Sequence, residues 1–351
     1  MIDFDFASLR LIGLQQAIAS AVSTQDTSTF AGARLMRVSA IHRDILAVHD
    51  GVTEHAAQLR HHHAELAVGD WVLVEQDQHN TWWLMERLAP LTQIARRSND
   101  GQRQVLVSNV DTALLVMGLD EDFNPRRLER YLSIVQAAGV APVVVLSKAD
   151  AVPDVAEKLT LLRQRLPGHV PLFAIDTHHA YDVEILAPWL AAGQSLVLLG
   201  SSGAGKSSLT NTLCAAEQAT NGLRHGDGRG RHTTTARSLH RCVSGACIID
   251  TPGLRSWRAD ADADTLAATF DDIAALAEQC QFRDCQHTQE PGCAVRGAVD
   301  ADRLRNYHKL LREAQRQTQT PLDRIAARAR WKTLVKAVQE KGKRRPGECM
   351  K

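Results

Sequence analysis

The chain has 351 residues, which at roughly 100–200 residues per domain predicts two or three domains. Hydrophobic residues make up 44% and charged residues 23%, values that exclude a disordered chain, a collagen-like chain and a small disulfide scaffold. The formal net charge of +1, taken alone, argues against a strongly basic nucleic-acid binder. The start of the chain is acidic, and no apolar stretch reaches about 18–20 residues, which predicts a protein without a membrane segment. The seven cysteines are irregularly spaced, which predicts a cytoplasmic location.

Residues 32 to 90 consist of short alternating apolar runs separated by Asp-Gly and Gly-Asp turns. About five such runs are typical of a small antiparallel barrel. An oligonucleotide-binding (OB) barrel fits this pattern, and an SH3-like barrel would give a similar one. Residues 1–30 carry weak helical signals, which predict a loosely ordered arm. We therefore expect residues 1–98 to form an arm and an OB-like barrel, with one of Trp82 and Trp83 in the barrel core.

The pattern then changes twice. From residue 103 to 257, solid apolar runs alternate with amphipathic helices, which predicts an α/β domain over 99–257 with a parallel sheet covered on both faces. Asn124-Pro125 opens one of these helices, because proline is favoured in the first helical turn. Beyond residue 258 strand signals vanish, and a helical domain over 258–351 is expected. Its predicted helices are 264–279, 301–317 and 322–340.

Residues 200–207 match the phosphate-binding pattern G-x-x-x-x-G-K-[ST], directly after an apolar strand and before a helix. The glycines let backbone amides curl around phosphates at the positive end of the helix. Lys206 is expected to reach the β- and γ-phosphates and to act in catalysis, and the Ser207 hydroxyl to ligate Mg²⁺. The predicted nucleotide contacts of this loop are Gly200, Ser201, Ser202, Gly203, Ala204, Gly205, Lys206, Ser207 and Ser208.

Two further motifs indicate a guanine nucleotide. The strand before Asp250 ends in D-x-x-G, so Asp250 can hold Mg²⁺ through water and the Gly253 amide can sense a γ-phosphate. Residues 147–150 match the guanine motif [NTS]-K-x-D. Its carboxylate can accept from both N1–H and the exocyclic amine of guanine, a donor pair that adenine lacks. The predicted contacts of this motif are Ser147, Lys148, Ala149 and Asp150.

The order of the motifs is unusual. In Ras-like GTPases the phosphate loop comes first and the guanine motif late, whereas here residues 147–150 precede 200–207. The sequence therefore predicts a circularly permuted P-loop GTPase domain, a rearrangement that is tolerated where the chain ends lie close together. As a consequence, the switch segments, around residues 233–235 and after Gly253, end the domain and lead directly into the next one.

The chain resembles the ribosome small-subunit-dependent GTPase A family over roughly residues 32–310. The resemblance rests on the permuted order, on Gly-Arg-His-Thr-Thr-Thr at 230–235, on Asp-Thr-Pro-Gly at 250–253, and on the flanking barrel and cysteines. It implies an OB barrel, a permuted GTPase and a zinc domain. It also implies a role in late maturation of the small ribosomal subunit, with GTP hydrolysis stimulated by the subunit. We expect a monomer.

The sequence departs from the common GTPase pattern at three places. Ser147 replaces the usual Asn, which predicts the loss of one loop-bracing amide and a modest nucleotide affinity. The second base loop should fall near residues 174–177 but matches poorly, so its contacts stay unassigned. Leu254 stands where Ras-like enzymes carry the Gln that orients water. Either hydrolysis is slow until a partner organises the site, or His232, with Thr234 of the adjacent run, acts in catalysis once the ribosome orders that loop.

A cluster of three cysteines and one histidine spans fourteen residues of the third domain. A closed Cys₃His set is typical of a tetrahedral structural zinc site without a position for catalysis. The same spacing occurs in the resembled family. The predicted ligands are Cys280, Cys285, His287 and Cys293. The other cysteines, which are not expected to bind metal, are Cys214, Cys242, Cys247 and Cys349.

Charge is distributed unevenly along the chain. Between Arg303 and Arg345 fourteen Lys or Arg stand against three acidic residues, so the remainder is acidic by ten. Such an excess beside an OB-like barrel favours contact with an RNA backbone, although a solvated helix face is the plainer explanation. The sequence predicts a GTPase that binds ribosomal RNA and is released on hydrolysis. The alternatives are a guanine-nucleotide-gated RNA-binding checkpoint with incidental turnover and a zinc-containing DNA-binding regulator.

Overall fold

The structure is a computed structural model that describes residues 2–24, 30, 32–42, 45–59, 66–97, 102–214, 237–251, 258–259 and 263–318. Several predictions fall outside these ranges: His232, Thr234, Gly253, Leu254, Cys349, the helix over 322–340 and the basic tail. Among the helices within these ranges, none combines the length and the apolar character needed to cross a bilayer.

The N-terminal segment is packed, so the expectation of a loosely ordered arm is wrong. It forms α1 (Phe6–Arg10), whose N-terminus is capped by the Asp5 carboxylate, and α2 (Gln16–Ser23). Its apolar side chains share one core with Trp71 and Leu73 of the barrel. Full burial of each such side chain contributes on the order of 2 kcal/mol, which holds the segment in place. The buried side chains are Ile2, Leu9, Ile12, Leu14, Ile18, Ala19 and Val22.

Five strands then close into a barrel in the order β1-β2-β3-β5-β4. β3 pairs with β5 in parallel, and the other pairs are antiparallel. This order is that of an OB barrel and confirms that fold over the SH3-like alternative. Trp82 is buried in the barrel core, as expected of one of the two tryptophans. The strands are β1 (Arg34–His42), β2 (Ile45–His49), β3 (Glu54–Gln58), β4 (Trp71–Gln76) and β5 (Trp82–Arg87).

A hairpin of β6 (Gln93–Arg97) and β7 (Arg103–Ser108) leads out of the barrel and spans the domain boundary expected at residue 98. A six-stranded sheet follows. Its strands are β8 (Thr112–Gly118), β9 (Ala141–Ser147), β10 (Leu172–Ala174), β11 (Ser195–Leu199), β12 (Ser238–Arg241) and β13 (Cys247–Asp250). The sheet order is β10-β9-β8-β11-β13-β12, parallel except for the edge strand β12.

Helices cover both faces of this sheet. Neighbouring residues along a strand enter opposite cores: Leu115 and Val144 pack on one side, Leu114 and Val143 on the other. The apolar runs are therefore continuous because neither face meets water. The helices are α3 (Pro125–Ala137), which starts at the predicted proline, α4 (Val155–Arg163), α5 (Ala180–Val183), α6 (Lys206–Cys214) and 3₁₀ helices at Ala149–Ala151 and Glu184–Trp189.

The short strand β14 (Arg258–Ala259) follows the D-x-x-G motif and pairs with β6. The helices after it are α7 (Ala263–Thr269), α8 (Asp271–Ala277) and α9 (Ala301–Thr318). The single helix predicted over 264–279 is broken at Phe270, whose backbone is not helical (φ −116°, ψ 52°) and whose buried ring has its centroid 4.7 Å from the Arg303 guanidinium. The helix predicted over 301–317 is confirmed by α9.

An ionic network joins this helical domain to α3. The buried Glu129 carboxylate accepts hydrogen bonds from Arg165 Nε at 2.8 Å, Arg303 Nη1 at 2.8 Å and Asn306 Nδ2 at 2.5 Å. Arg130 on the same helix pairs with Glu313 at 2.6 Å. A buried carboxylate is tolerated only when it is paired and hydrogen-bonded, so α9 is fixed against α3 at this point.

Candidate nucleotide site and metal cluster

The predicted nucleotide motifs meet at one edge of the sheet. β8, β9, β11 and β13 are parallel, so their carboxyl ends lie on the same side. β9 ends at Ser147 of the guanine motif, β11 ends one residue before Gly200, and β13 ends at Asp250. The carboxyl edge of an open parallel sheet is where such folds bind ligands. Motifs that are 50 residues apart in the sequence are therefore neighbours in space.

The phosphate loop curls because of its glycines. A Cβ on Gly200 would lie 2.3 Å from the Val116 carbonyl oxygen, and Gly205 has a positive φ of 88°. The Lys206 ammonium is buried and donates to the carbonyls of Gly200 at 3.1 Å and Ser201 at 2.7 Å. Burial lowers the pKa of Lys206, and the nearby Asp250 and Asp122 carboxylates oppose this change.

The guanine motif braces the phosphate loop. The buried Ser147 hydroxyl donates to the Ala204 carbonyl at 2.7 Å. Ser147 has no side-chain amide, but its hydroxyl makes a bracing contact instead, because the phosphate loop lies close by: a Cβ on Gly205 would stand 3.2 Å from Ser147 Oγ. Lys148 adopts a left-handed backbone with φ of 60°, and Asp150 is exposed in the 3₁₀ turn that follows.

The unassigned second base loop lies beside this motif. Ile175, just past the end of β10, donates its amide to the Leu146 carbonyl at 2.9 Å and accepts from the Ala149 amide at 3.3 Å. The buried Thr177 offers its carbonyl to the Thr212 hydroxyl on α6 at 2.8 Å. The tetrapeptide 174–177 matches no motif of a base loop. The sequence signal that could have assigned it was its position at the end of a short parallel strand.

The β8–α3 loop was missed by the sequence reasoning. Asp120 accepts from Lys148 Nζ at 2.6 Å, and Asp122 accepts from the Ser201 hydroxyl at 2.5 Å. The loop thus touches both the guanine motif and the phosphate loop. The signal present in the sequence was an acidic run directly after the apolar strand β8, at the same sheet edge.

The residues predicted to hold Mg²⁺ lie at this edge as well. Asp250 is fully buried at the end of β13, and the next residue, Thr251, is anchored by a 2.7 Å hydrogen bond from its hydroxyl to the Leu198 carbonyl. Ser207 is half-buried in the first turn of α6. A carboxylate and a hydroxyl are oxygen ligands of the kind that Mg²⁺ prefers, so the donor set fits that ion.

The four predicted zinc ligands are assembled in one cluster, with their donor atoms all within 4.8 Å of one another. His287 Nδ1 lies 3.6 Å from Cys280 Sγ and 3.5 Å from Cys293 Sγ. A tetrahedral zinc with bonds of about 2.3 Å to sulfur and about 2.0 Å to nitrogen would hold such pairs about 3.5 Å apart. Burial and the neighbouring thiols raise the pKa of Cys285 to about 11. The cluster is compatible with zinc.

The other described cysteines lie outside this cluster. Cys214 and Cys242 are in contact, with 3.4 Å between their sulfur atoms, and Cys247 contacts the buried Arg37 and Ser195. Within the part of the chain that the structure describes, they form no further metal cluster.

One face of α9 is basic and exposed. The residues with the predicted spacing on this face are Arg305, Lys309, Arg312 and Arg316. Arg303, which belongs to the same basic excess in the sequence, is instead buried between Glu129 and Asp272. The surface charge of the described part of this helix is therefore carried by the four exposed residues.

Comparison with known proteins gives consistent matches. The model of the RsgA GTPase family matches residues 88–260. The small ribosomal subunit biogenesis GTPase RsgA of Xanthomonas oryzae pv. oryzae (strain MAFF 311018) is 45% identical over 278 residues, 77% of this chain and 75% of that protein. The protein of the same name from Xanthomonas axonopodis pv. citri (strain 306) is 44% identical over 279 residues, with the same coverage.

Two solved structures share the fold. YjeQ from Thermotoga maritima has a TM-score of 0.59 and 24% identity, covering 81% of this chain and 99% of its own. YloQ, described as a circularly permuted GTPase, has a TM-score of 0.57 and 22% identity, covering 84% and 100%. The predicted barrel and permuted GTPase architecture are thereby confirmed. The fold, the motif order and the sequence identity agree: the chain belongs to the RsgA GTPase family.

Proposed function

We propose that this chain hydrolyses GTP while it is bound to the maturing small ribosomal subunit, and that hydrolysis times its release. The observation that carries the nucleotide part is the contact between the Ser147 hydroxyl and the Ala204 carbonyl, which joins a guanine motif to a phosphate loop. The subunit part is supported by relatives of 44–45% identity that are named small ribosomal subunit biogenesis GTPases. We further propose that the chain acts as a monomer and that it acts in the cytoplasm.

In this proposal each motif has one task. Lys206 binds the β- and γ-phosphates, Asp150 reads the guanine base, and Lys148 lies along the base. Ser207 and Asp250 hold Mg²⁺, which when bound neutralises charge on the phosphates. Water attacks the γ-phosphorus, the bond to the bridging oxygen breaks, and GDP and phosphate leave.

The residue that orients this water is a separate proposal. His232 and Thr234 lie outside the described residues, as does Leu254, which replaces the usual Gln. We propose that His232 orients the water when the chain is bound to the subunit. His232→Ala is expected to abolish the stimulation of GTP turnover by the subunit while nucleotide affinity stays unchanged. Full stimulation in this variant would exclude the role.

The cluster of Cys280, Cys285, His287 and Cys293 is proposed to hold one structural zinc ion. It lies in a segment of turns between α8 and α9 and packs on the small core around Phe270 and Leu310. Zinc binding, worth on the order of 10 kcal/mol, would stabilise this segment. Together with the barrel, the basic face of α9 is proposed to contact ribosomal RNA phosphates, which position the protein without reading sequence.

Hydrolysis-timed release is tested by loading the protein on purified small subunits with GTP or with a non-hydrolysable analogue. Faster release with GTP is expected, and Lys206→Ala should remove the difference. Equal release rates would favour the second candidate, a guanine-nucleotide-gated RNA-binding checkpoint. The absence of a hydrogen-bonding side chain at Leu254 favours that candidate. The third alternative, a DNA-binding regulator, does not explain the nucleotide motifs at this edge of the sheet.

A further inference from the structure

Asp122, in the loop between β8 and α3, contacts the phosphate loop. Its side chain is 15% exposed, and its two oxygens accept hydrogen bonds from the Ser201 hydroxyl at 2.5 Å and from the Gly118 amide at 3.1 Å. Arg127, in the first turn of α3, pairs with the same carboxylate. The carboxylate is thus held between the end of a core strand and a helix, on rigid elements.

Ser201 links this carboxylate to the phosphate lysine. Its hydroxyl donates to Asp122, while its carbonyl oxygen accepts from Lys206 Nζ at 2.7 Å. An ammonium group has three donors. Among the described residues two of them are taken, by the carbonyls of Ser201 and Gly200. Fixing these carbonyls therefore directs the remaining N–H of Lys206.

We propose that Asp122 is a positioning residue for nucleotide binding, acting through Ser201 to hold Lys206 in place for the phosphates of GTP and GDP. The proposal rests on the nucleotide site proposed above. A flexible lysine would lose conformational freedom when it binds a phosphate, and holding it beforehand reduces that cost. The bond from Ser201 is charge-assisted, and such bonds are about twice as strong as neutral ones.

A purely structural role for Asp122 is the competing explanation. Its contacts with Gly118 and Arg127 would stabilise the start of α3 without any effect on Lys206. The two roles differ in one respect: a positioning role requires Ser201, and a structural role does not. Asp50, in the turn between β2 and β3 of the barrel, offers a matched control, since its carboxylate accepts from the Val52 amide at 2.8 Å and the Thr53 amide at 2.7 Å and pairs with His55 at 2.9 Å.

The test measures the dissociation constant for GDP, by direct titration of the full-length chain. Asp122→Ala and Ser201→Ala are each expected to weaken GDP binding about tenfold, or about 1.4 kcal/mol. The double variant should be no weaker than Asp122→Ala alone, because both changes break one chain of contacts. Asp122→Asn keeps an acceptor for Ser201 and should recover part of the affinity, and Asp50→Ala should bind GDP normally.

Two results would overturn the proposal: unchanged GDP affinity in Asp122→Ala, or a loss of about a hundredfold in the double variant, which would mean independent effects. If Asp122→Ala does not fold, the two remaining variants test the proposal. Ser201→Ala must then weaken GDP binding, and Asp122→Asn must bind GDP more tightly than Ser201→Ala does. Lys206→Ala distinguishes a failure of the proposed nucleotide site from a failure of the positioning role of Asp122. Normal GDP affinity in that variant would refute the proposed site itself, whereas lost affinity beside a normal Asp122→Ala would refute only the positioning role.

Discussion

The hydroxyl of Ser147 and the carbonyl oxygen of Ala204 are 2.7 Å apart, although 57 residues separate them. One is the first residue of the guanine motif and the other lies within the phosphate loop. The guanine motif precedes the phosphate loop along the chain, and the fold brings the two into contact. The parallel strands of the sheet bring these motifs together. The nucleotide site therefore depends on the sheet and not on the order of the motifs along the chain.

Ser147→Ala is expected to weaken GDP binding about fivefold, and to lower the free energy of unfolding by about 1–3 kcal/mol, because a buried carbonyl loses its donor. Equilibrium titration and urea denaturation measure the two effects. Ser133→Ala is the control, since Ser133 is equally buried and its hydroxyl bonds to Arg130 within α3. The idea fails if both variants bind GDP as well as the parent protein.

Replacement of Cys293 by Ser is expected to reduce the zinc content from one ion per chain to none and to lower the melting temperature. A Cys₃His site loses its closed shell when one thiolate is removed. Metal analysis by mass spectrometry and circular dichroism provide the readouts. Cys214→Ser, outside the cluster, should keep the metal. A parent protein that contains no zinc, and melts identically with and without a chelator, would contradict the assignment.

Glu129→Gln is expected to lower the free energy of unfolding by about 3 kcal/mol, because two buried guanidinium groups lose a shared charged partner. Urea denaturation measures this loss. Glu121→Gln, an exposed site one loop away, serves as the control and should change little. Equal stability of the two variants would show that the network does not hold the helical domain on α3.

Neutralising the exposed face of α9 with Arg305→Gln, Lys309→Gln and Arg312→Gln together is expected to weaken binding to the small subunit. The slope of log affinity against log salt should fall by about two to three, since each phosphate contact contributes about 0.7–0.9. Arg163→Gln, exposed on α4, is the control. An unchanged salt slope in the triple variant would leave the basic face as a solvated surface only.

The sequence predicted the sheet, the barrel and the motifs well because each is encoded locally. The run 195–199 is apolar after its first residue, Ser195, because both faces of the sheet are covered, and it forms β11 with those bounds. The four predicted metal ligands lie within fourteen residues, so their spacing alone indicated that they converge.

What the sequence did not predict depends on distant contacts. Glu129 and Arg303 are 174 positions apart, and nothing near either residue indicates that they pair. The N-terminal helices have five and eight residues, too short for a clear periodic pattern, and they are stabilised by the barrel core instead. Asp122 carries no motif, and its contact with Ser201 follows from the neighbouring positions of β8 and β11 in the sheet.

The most direct test of the proposed function is the rate of GTP turnover by the purified chain with and without purified small ribosomal subunits. The account predicts slow turnover alone and a marked increase with subunits, absent in Lys206→Ala. Turnover that is the same with and without subunits, at concentrations where binding is verified, would contradict it.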